Sequence, residues 1–326
     1  MEHTLFTNRW YAVRPSKSVR RKPVEVDVLG NNAVLWRNKD HSLVMQRNAC
    51  PHRGAKLSMG KVDLKRQCIE CPYHGWAFDD SGMLRDVPSC DTKLIDTLQI
   101  DTWKTMESGG LVWFCLGNPN GFNPPVIKEM HSKEWTCVNG YDVFHNDWIT
   151  TLENSIDVTH VNFVHSDFGD SQNGSVKDIE LKVKSTDHIR MLSTICHKTD
   201  NVLLKFTEKP DVRVSHDVLL PNTVSIQFWV QDVLNVITYV TYTPLGNNMT
   251  LVNWAFLRNP RFPVFDSVLD WFFINGMERA LLEDKQIVNS IKNPDQRVSV
   301  PPDNIQNKFR RMLQEMKMQE PTTKYT

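Results

Sequence analysis

No apolar run in the 326-residue chain approaches the roughly 18 residues that a membrane-spanning helix needs, so no span is expected. The opening MEHTLFTNRWYAV lacks a basic flank followed by an apolar segment and a small-residue cleavage site, and the expected location is cytoplasmic. Charge of one sign is missing as well. Thirty-eight Lys and Arg balance 38 Asp and Glu, which leaves no broad basic surface for nucleic acid or an anionic membrane. The short basic cluster from Lys17 to Lys22 reads as a solvated loop. There is no internal repeat, and no G-x-G-x-x-G follows a strand-like stretch, so a flavin or nicotinamide fingerprint is absent. What remains, 40% apolar and 23% charged residues, is the composition of a globular protein long enough for two domains.

From Val24 to Cys50 apolar stretches alternate with turn signals: VEVDVL, GNN, AVLWR, NKDHS, LVMQRN. That pattern predicts short antiparallel strands. It continues through a turn at Asp79 to Gly82 and through LVWFCLG, which ends in Asn118 and Pro119. GNPNGFNPP then has the composition of a linker, so an all-β domain is expected over 1–118 and a second domain over 119–326. In the latter, IDVTHVNFVH looks like a buried helix start followed by the loop SDFGDSQNGS. The runs between Thr223 and Leu257, broken by PLGNN, predict a central antiparallel sheet, and helices are expected over Val264–Ile291 and Asn304–Lys317. The predicted class is α+β, with an all-β N-terminal domain and a C-terminal sheet flanked by helices.

Seven cysteines is an odd count, and Cys90, Cys115, Cys137 and Cys196 are scattered as buried, inert thiols would be. The other three lie in CPHRGAKLSMGKVDLKRQCIECPYHGW. Cys50 and His52 form C-x-H, Cys71 and His74 form C-x-x-H, and each loop has Pro after its cysteine and Gly after its histidine region, at Gly54 and Gly75. Two loops that each offer one thiolate and one imidazole suit a mixed iron-sulfur cluster, with the thiolates on one iron and the imidazoles on the other. Tetrahedral zinc on Cys50, His52, Cys68 and Cys71 is the alternative, and it leaves His74 without a role.

CPHRG and CPYHGW match the two halves of the Rieske [2Fe-2S] motif, and the chain resembles the oxygenase component of Rieske non-heme iron oxygenases along almost its whole length. NRWYAV, PHRGAKLSMG and NSIDVTHVNFVH are similar in style to the short monooxygenase and demethylase branch, which includes vanillate and dicamba O-demethylases and saxitoxin-pathway hydroxylases. The 18 residues between His52 and Cys71 are slightly more than the family usually has; the extra VDLKRQC lies in the connecting hairpin, which makes Cys68 a bystander. The resemblance implies a Rieske domain, a catalytic mononuclear iron domain, and a [2Fe-2S] cluster on Cys50, His52, Cys71 and His74.

TLENSIDVTHVNFVHSD places Asp157, His160 and His165 within nine residues. On an ideal helix the two histidines stand about 140° apart, so both reach one ion only if the helix ends or bulges between them. Taken alone, such a pair is more often unrelated to any metal. The resemblance reverses that reading, because D-x-x-H-x₄-H is where the family carries the two imidazoles of its mononuclear Fe(II). A facial triad needs a carboxylate from elsewhere, and the long helix offers Glu278, Glu283 and Asp284. Leu269, Phe273, Gly276, Ala280, Asp284, Ile287 and Ile291 recur at steps of four and three, which puts Asp284 mid-stripe and Glu283 about 100° round. A carboxylate in an apolar stripe needs a cation, with an arginine such as Arg258 as the alternative partner. The family's ligand is similarly an Asp in an ED-x-x-I/V setting, matched by LLEDKQIV.

Asp157, nearly on the face of His160, reads as a carboxylate that supports a metal-bound imidazole. The resemblance further implies that it bridges to the cluster histidine, His74, of the next subunit in a head-to-tail homotrimer. Asn154 resembles an asparagine found near the iron in relatives; helix N-terminal capping is its other reading. By the same resemblance, electrons come from NAD(P)H through a separate reductase or ferredoxin. O₂ and a small organic substrate then meet at the iron, and hydroxylation leads to demethylation where the carbon bears an O- or N-alkyl link. A stand-alone electron carrier and a zinc-stabilised interaction module are the rival readings. Gln227, Trp229, Asn235, Ile237 and Trp254 are expected as pocket walls, Asn235 and Gln231 as polar contacts to the substrate, and Ser166 to Gly174 as a lid.

Overall fold

The computed structural model describes residues 4–165, 175–196, 212–230, 233–259, 266–292 and 298–324. In chain order these form β1 (Thr4–Phe6), β2 (Tyr11–Pro15), β3 (Val24–Val28), β4 (Asn31–Arg37), β5 (Leu43–Arg47), β6 (Lys61–Asp63), β7 (Cys68–Glu70), β8 (Ala77–Asp79), β9 (Leu84–Asp86), β10 (Thr102–Ser108) and β11 (Leu111–Cys115). There follow β12 (Thr136–Phe144), α1 (Trp148–Ile156), α2 (Val161–Val164), β13 (Ser175–Ser185), β14 (His188–Cys196), β15 (Val212–Leu219), β16 (Thr223–Val230), β17 (Val233–Gly246), β18 (Met249–Arg258), α3 (Asp266–Ser290), α4 (Asn304–Gln319) and β19 (Thr322–Lys324). The class is α+β, as expected. Two compact units divide the chain: Met1–Pro124 with Thr243–Asn247 and Pro321–Thr326, and Pro125–Tyr242 with Asn248–Glu320. Among the described residues no helix is long and apolar enough to cross a membrane.

The first unit is all-β. Its larger sheet runs β2-β11-β10-β5-β4-β3, its smaller one β6-β7-β8-β9, and β1 pairs with β19. Ala33 to Trp36 of β4 are all fully buried, so this strand is covered on both faces. The indole of Trp36 donates to Gln46 Oε1 (3.1 Å), and Gln46 Nε2 donates to the carbonyl of Asp79 (2.6 Å), so the buried polar groups are paired and the two sheets are tied at the Asp79 turn. Trp36, Leu57, Ile69, Trp76 and Phe78 pack in one apolar cluster that also contains Cys50 and Cys71. The scattered cysteines are not all buried: Cys115 is, Cys137 is half-buried and Cys90 is exposed in a loop, where a small side chain has no core to enter, while the side chain of Cys196 lies outside the described residues.

The second unit is built on a seven-stranded antiparallel sheet, β12-β18-β17-β16-β15-β14-β13. Side chains alternate across a sheet, so register assigns faces. His216, Ile226 and Thr238 form one cross-strand row. Thr238 Oγ1 lies 3.9 Å from Met277 Sδ of α3, and the Tyr242 hydroxyl, on the same face, bonds Ser155 Oγ of α1. This is the face that meets α1 and α3. Gln227 pairs with Ile237, and Trp229 with Arg213, on the opposite face, which removes them as pocket walls beside the helices. Trp254 lies flat over Gly140, where a Cβ would come within 2.3 Å of the indole, so it too is sheet packing. Gln231, the side chain of Asn235 and the stretch 166–174 lie outside the described residues.

Helix α3 is fastened at its C-terminal end. Asn146 Nδ2 donates to the carbonyls of Val288 (2.7 Å) and Ile291 (3.0 Å), the His145 amide donates to Asn289 Oδ1 (2.7 Å), and Lys285 pairs with Asp142 (2.9 Å). These contacts set its rotation. Val288 is fully buried while Ile287 and Ile291 are 47% and 40% exposed, so the inward stripe runs from Asp284 to Val288 and not to Ile287 as the periodicity suggested. Both i+3 and i+4 continue a helical face, and tertiary contacts chose between them. The side chains of Leu269 and Phe273 lie outside the described residues.

Candidate metal centres

Cys50–Ala55 and Cys71–Trp76 are twin loops. In each, the cysteine amide donates to the carbonyl five residues on (Ala55 and Trp76, 2.9 and 2.8 Å), and the glycine amide donates back to the cysteine carbonyl (Gly54 and Gly75, 2.8 and 3.2 Å). Each turn closes through a glycine at φ +74° or +73°, a region that side chains with a Cβ avoid. The second loop joins β7 to β8 directly. Both thiols are buried, whereas His52 is exposed and His74 half-buried; the two rings are 4.5 Å apart by centroid, and His52 stacks on Trp76 at 4.8 Å. Burial, together with the adjacent Cys71 thiol, pushes the Cys50 thiol up to about 11. Burial and the charge of His74 press His52 below its usual value.

Two thiols inward and two imidazoles outward is the donor set of a cluster with one iron on sulfur and one on nitrogen. Among the described residues, no three donors of Cys50, His52, Cys68, Cys71 and His74 gather as tightly as a single ion requires. Cys68 instead sits in β7 with its Sγ donating to the Arg66 carbonyl (3.2 Å). Burial pushes its thiol up to about 11. The zinc arrangement therefore has no support in this geometry. The turn that lengthens the hairpin is held by Arg66, which bonds Asp63, Glu70 and Asp86.

In the second unit, His160, His165 and Asp284 converge, with ligand atoms all within 4.8 Å of one another. Helix α1 starts at an Asp147 cap, whose carboxylate accepts from the amides of Ile149 and Thr150 (both 3.0 Å), and ends at Ile156. His160 and His165 then flank the single turn of α2, and His165 leaves it in extended backbone (φ −93°, ψ 105°). The helix ends between the histidines, so positions five apart face the same point.

The hydrogen bonds assign the protons. His160 Nδ1 donates to the backbone carbonyl of Asp157 (2.6 Å) and His165 Nδ1 donates to Glu283 Oε2 (3.1 Å), since neither partner can do anything but accept. With Nδ1 as the donor, the neutral form of each ring carries its lone pair on Nε2. The two Nε2 atoms are 3.3 Å apart and lie 3.3 and 3.5 Å from Asp284 Oδ1, a buried oxygen that receives no hydrogen bond. Three potential ligand atoms converge on one point. Ligands bound at about 2.1 Å stand roughly 3.0–3.4 Å apart for angles from 90° to tetrahedral, so a divalent cation fits. The field agrees: burial opposes charge on His160, yet Asp284 and Asp157 outweigh it and raise its affinity for a proton.

Two sequence expectations change here. The Asp157 carboxylate accepts from the amide and hydroxyl of Thr159 (2.8 and 2.6 Å) and so shapes the turn into α2; it is the main-chain carbonyl of Asp157 that supports His160. Asn154 does not cap the start of a helix. It lies in the last turn of α1, its carbonyl accepting from the Asp157 amide (3.2 Å). Glu283 also reaches the site although it lies about 100° from the expected stripe; at 118 residues from His165 no local pattern announces the pair. His216 was also missed. It is buried on the helix-bearing face with an unpartnered Nδ1, and burial together with His160 lowers it to about 4.

A Rieske [2Fe-2S] domain family matches residues 9–104, and the vanillate O-demethylase oxygenase C-terminal domain family matches residues 144–319. The chain is a Rieske oxygenase family member. Residues 9–104 enclose both Cys/His loops, and 144–319 enclose His160, His165 and Asp284. Among curated relatives, this Rieske oxygenase chain is 28% identical over 169 residues to a cholesterol 7-desaturase of Caenorhabditis elegans (49% of this chain, 39% of the relative). It is 26% identical over 205 residues to the oxygenase component of dicamba O-demethylase from Stenotrophomonas maltophilia (62% and 59%). It thus spans less than two thirds of the curated relatives it matches here. Among solved structures, dicamba monooxygenase bound to dicamba superposes with a TM-score of 0.84 at 20% identity, over 97% of this chain and 98% of that one, which shows a shared fold.

Proposed function

We propose that this chain is the oxygenase component of a Rieske-type monooxygenase, using O₂ and externally supplied electrons to hydroxylate a C–H bond of a small organic substrate. Loss of a methyl group follows where the hydroxylated carbon bears an O- or N-alkyl link. The observation that carries the reading is the convergence of two imidazole lone pairs on a buried, unbonded Asp284 oxygen, in a chain that also presents twin Cys/His loops. An electron carrier has no use for the former, and an interaction module none for the latter.

Cys50, Cys71, His52 and His74 would hold a [2Fe-2S] cluster, and His160, His165 and Asp284 a ferrous ion. When bound, the cluster passes electrons singly and the ion, held by three protein ligands, has positions left for oxygen activation. The chain's own residues do the rest. The Asp157 carbonyl holds the His160 proton on Nδ1, Asp147 sets where α1 begins, and the buried sheet face carrying Thr238 and Tyr242 limits water beside the helices. We further propose that electrons arrive from NAD(P)H through a separate reductase or ferredoxin and that the chain works as a homotrimer, in which Asp157 of one copy serves the cluster side of the next.

Asp284→Ala tests the reading. It should remove the non-cluster iron and bring O₂-dependent turnover with a surrogate reductase to background, while the cluster's absorption and EPR signals stay. Full turnover in that variant refutes the assignment.

A further inference from the structure

Glu283 and Asp284 are consecutive on α3, yet both reach the same site. Asp284 offers Oδ1 to the two Nε2 atoms, and Glu283 takes the far-side proton of His165 at 3.1 Å. The two histidines are therefore supported unequally. His160 leans on a neutral carbonyl, whereas His165 leans on a carboxylate. Hydrogen bonds to an ionised acceptor are roughly twice as strong as neutral ones, and a carboxylate on the outer nitrogen of a ligating histidine raises the basicity of the inner one. Solvent does not erase the effect: the side chains of His165 and Glu283 are 9% and 24% exposed. A carboxylate serving only as surface charge would not point inward at a ring nitrogen.

We propose that Glu283 is a positioning residue for the mononuclear site: it fixes the His165 tautomer and makes this imidazole the stronger nitrogen donor of the pair. The inference rests on the iron reading given above. It predicts that the affinity and the ferric/ferrous balance of the ion depend on a side chain that never touches the ion.

The test uses the full cluster-loaded chain. Ferrous iron is titrated in competition with a colorimetric chelator, and the ferric/ferrous potential of the non-cluster ion is read by redox titration. Glu283→Gln, nearly isosteric, should raise the dissociation constant for ferrous iron about 10- to 100-fold. It should also raise the potential, because the ferric state loses an anionic neighbour, while cluster absorption and melting temperature stay at wild-type values. Glu283→Ala, which introduces no misdirected amide, should weaken binding by the same order. Wild-type binding and potential in both variants overturn the proposal while leaving the iron reading intact. A wild-type chain that takes up no iron beyond the cluster overturns both.

Discussion

The four donors of the N-terminal centre lie within residues 50–74, on two loops of one small sheet, whereas Asp284 joins His160 and His165 from a helix more than a hundred residues further along. Turn chemistry alone builds the first: an amide pair, a positive-φ glycine and a buried thiol, repeated. The second exists only when α1, α2 and α3 are packed. It depends on Asn146 and Lys285 gripping α3, and on Arg310 of α4 pairing with the buried Glu153 of α1. One centre is carried by local backbone geometry and the other by tertiary structure, and substitutions should separate them.

The largest effect falls on the cluster side. Cys71→Ser should abolish the cluster's visible and EPR signatures, and Cys68→Ser should leave them in place, since Cys68 bonds the Arg66 carbonyl. A reversed result would move the ligand set. Proton linkage sharpens the same point. With the Cys50 thiol pushed up to about 11, its thiolate is scarce at neutral pH, and a cluster ligand must give up its proton. Cluster insertion into the metal-free chain should therefore speed up with each step of pH between 7 and 9. A rate that is flat or falls with pH would count against a buried, protonated Cys50.

Removing one partner of a buried ion pair costs about 3 kcal/mol, so Arg310→Met should destabilise the second unit by that order. Urea unfolding followed by far-UV ellipticity and, separately, by cluster absorption reads the two units apart. The ellipticity transition should shift and the absorption transition should not. A common shift in both would mean that the centres stand or fall together, and the contrast between them would be lost.

The same contrast explains what was legible in the sequence. β3, β4 and β5 fall on the apolar stretches VEVDVL, AVLWR and LVMQRN set off by turn signals, and α3 and α4 follow the helical period. By comparison, β13 is exposed on both faces along KDIELKVKS, and β15 buries Ser215, His216 and Asp217, so neither alternates in a readable way. Within that row the Asp217 carboxylate is satisfied by its neighbours, accepting from His188 (2.6 Å), Arg190 (2.7 Å) and Ser215 (3.0 Å), contacts that only the folded sheet supplies, while His216 Nδ1 has no partner. At the candidate sites, the Cys/His loops could be read from spacing. The turn of α3 that favours Val288 over Ile287 could not, nor could the reach of Glu283 to His165, because packing decides both.

The smallest expected effect concerns the cap of α1. Replacing a side chain that accepts from two helix N-terminal amides costs about 1 kcal/mol, and Asp147 accepts from Ile149 and Thr150. Asp147→Ala should lower the stability of the second unit by that amount, and Asp147→Ser should recover most of it, as judged by urea midpoints. Because α1 leads directly into the segment that carries His160, looser ferrous binding should accompany the loss, by less than tenfold. The cluster signals should not change at all. If the cap could be removed with no change in iron affinity, the histidine pair would be held by α2 and α3 without help from α1, and the tertiary frame of the second centre would be smaller than the packing of α1 against α3 and α4 suggests.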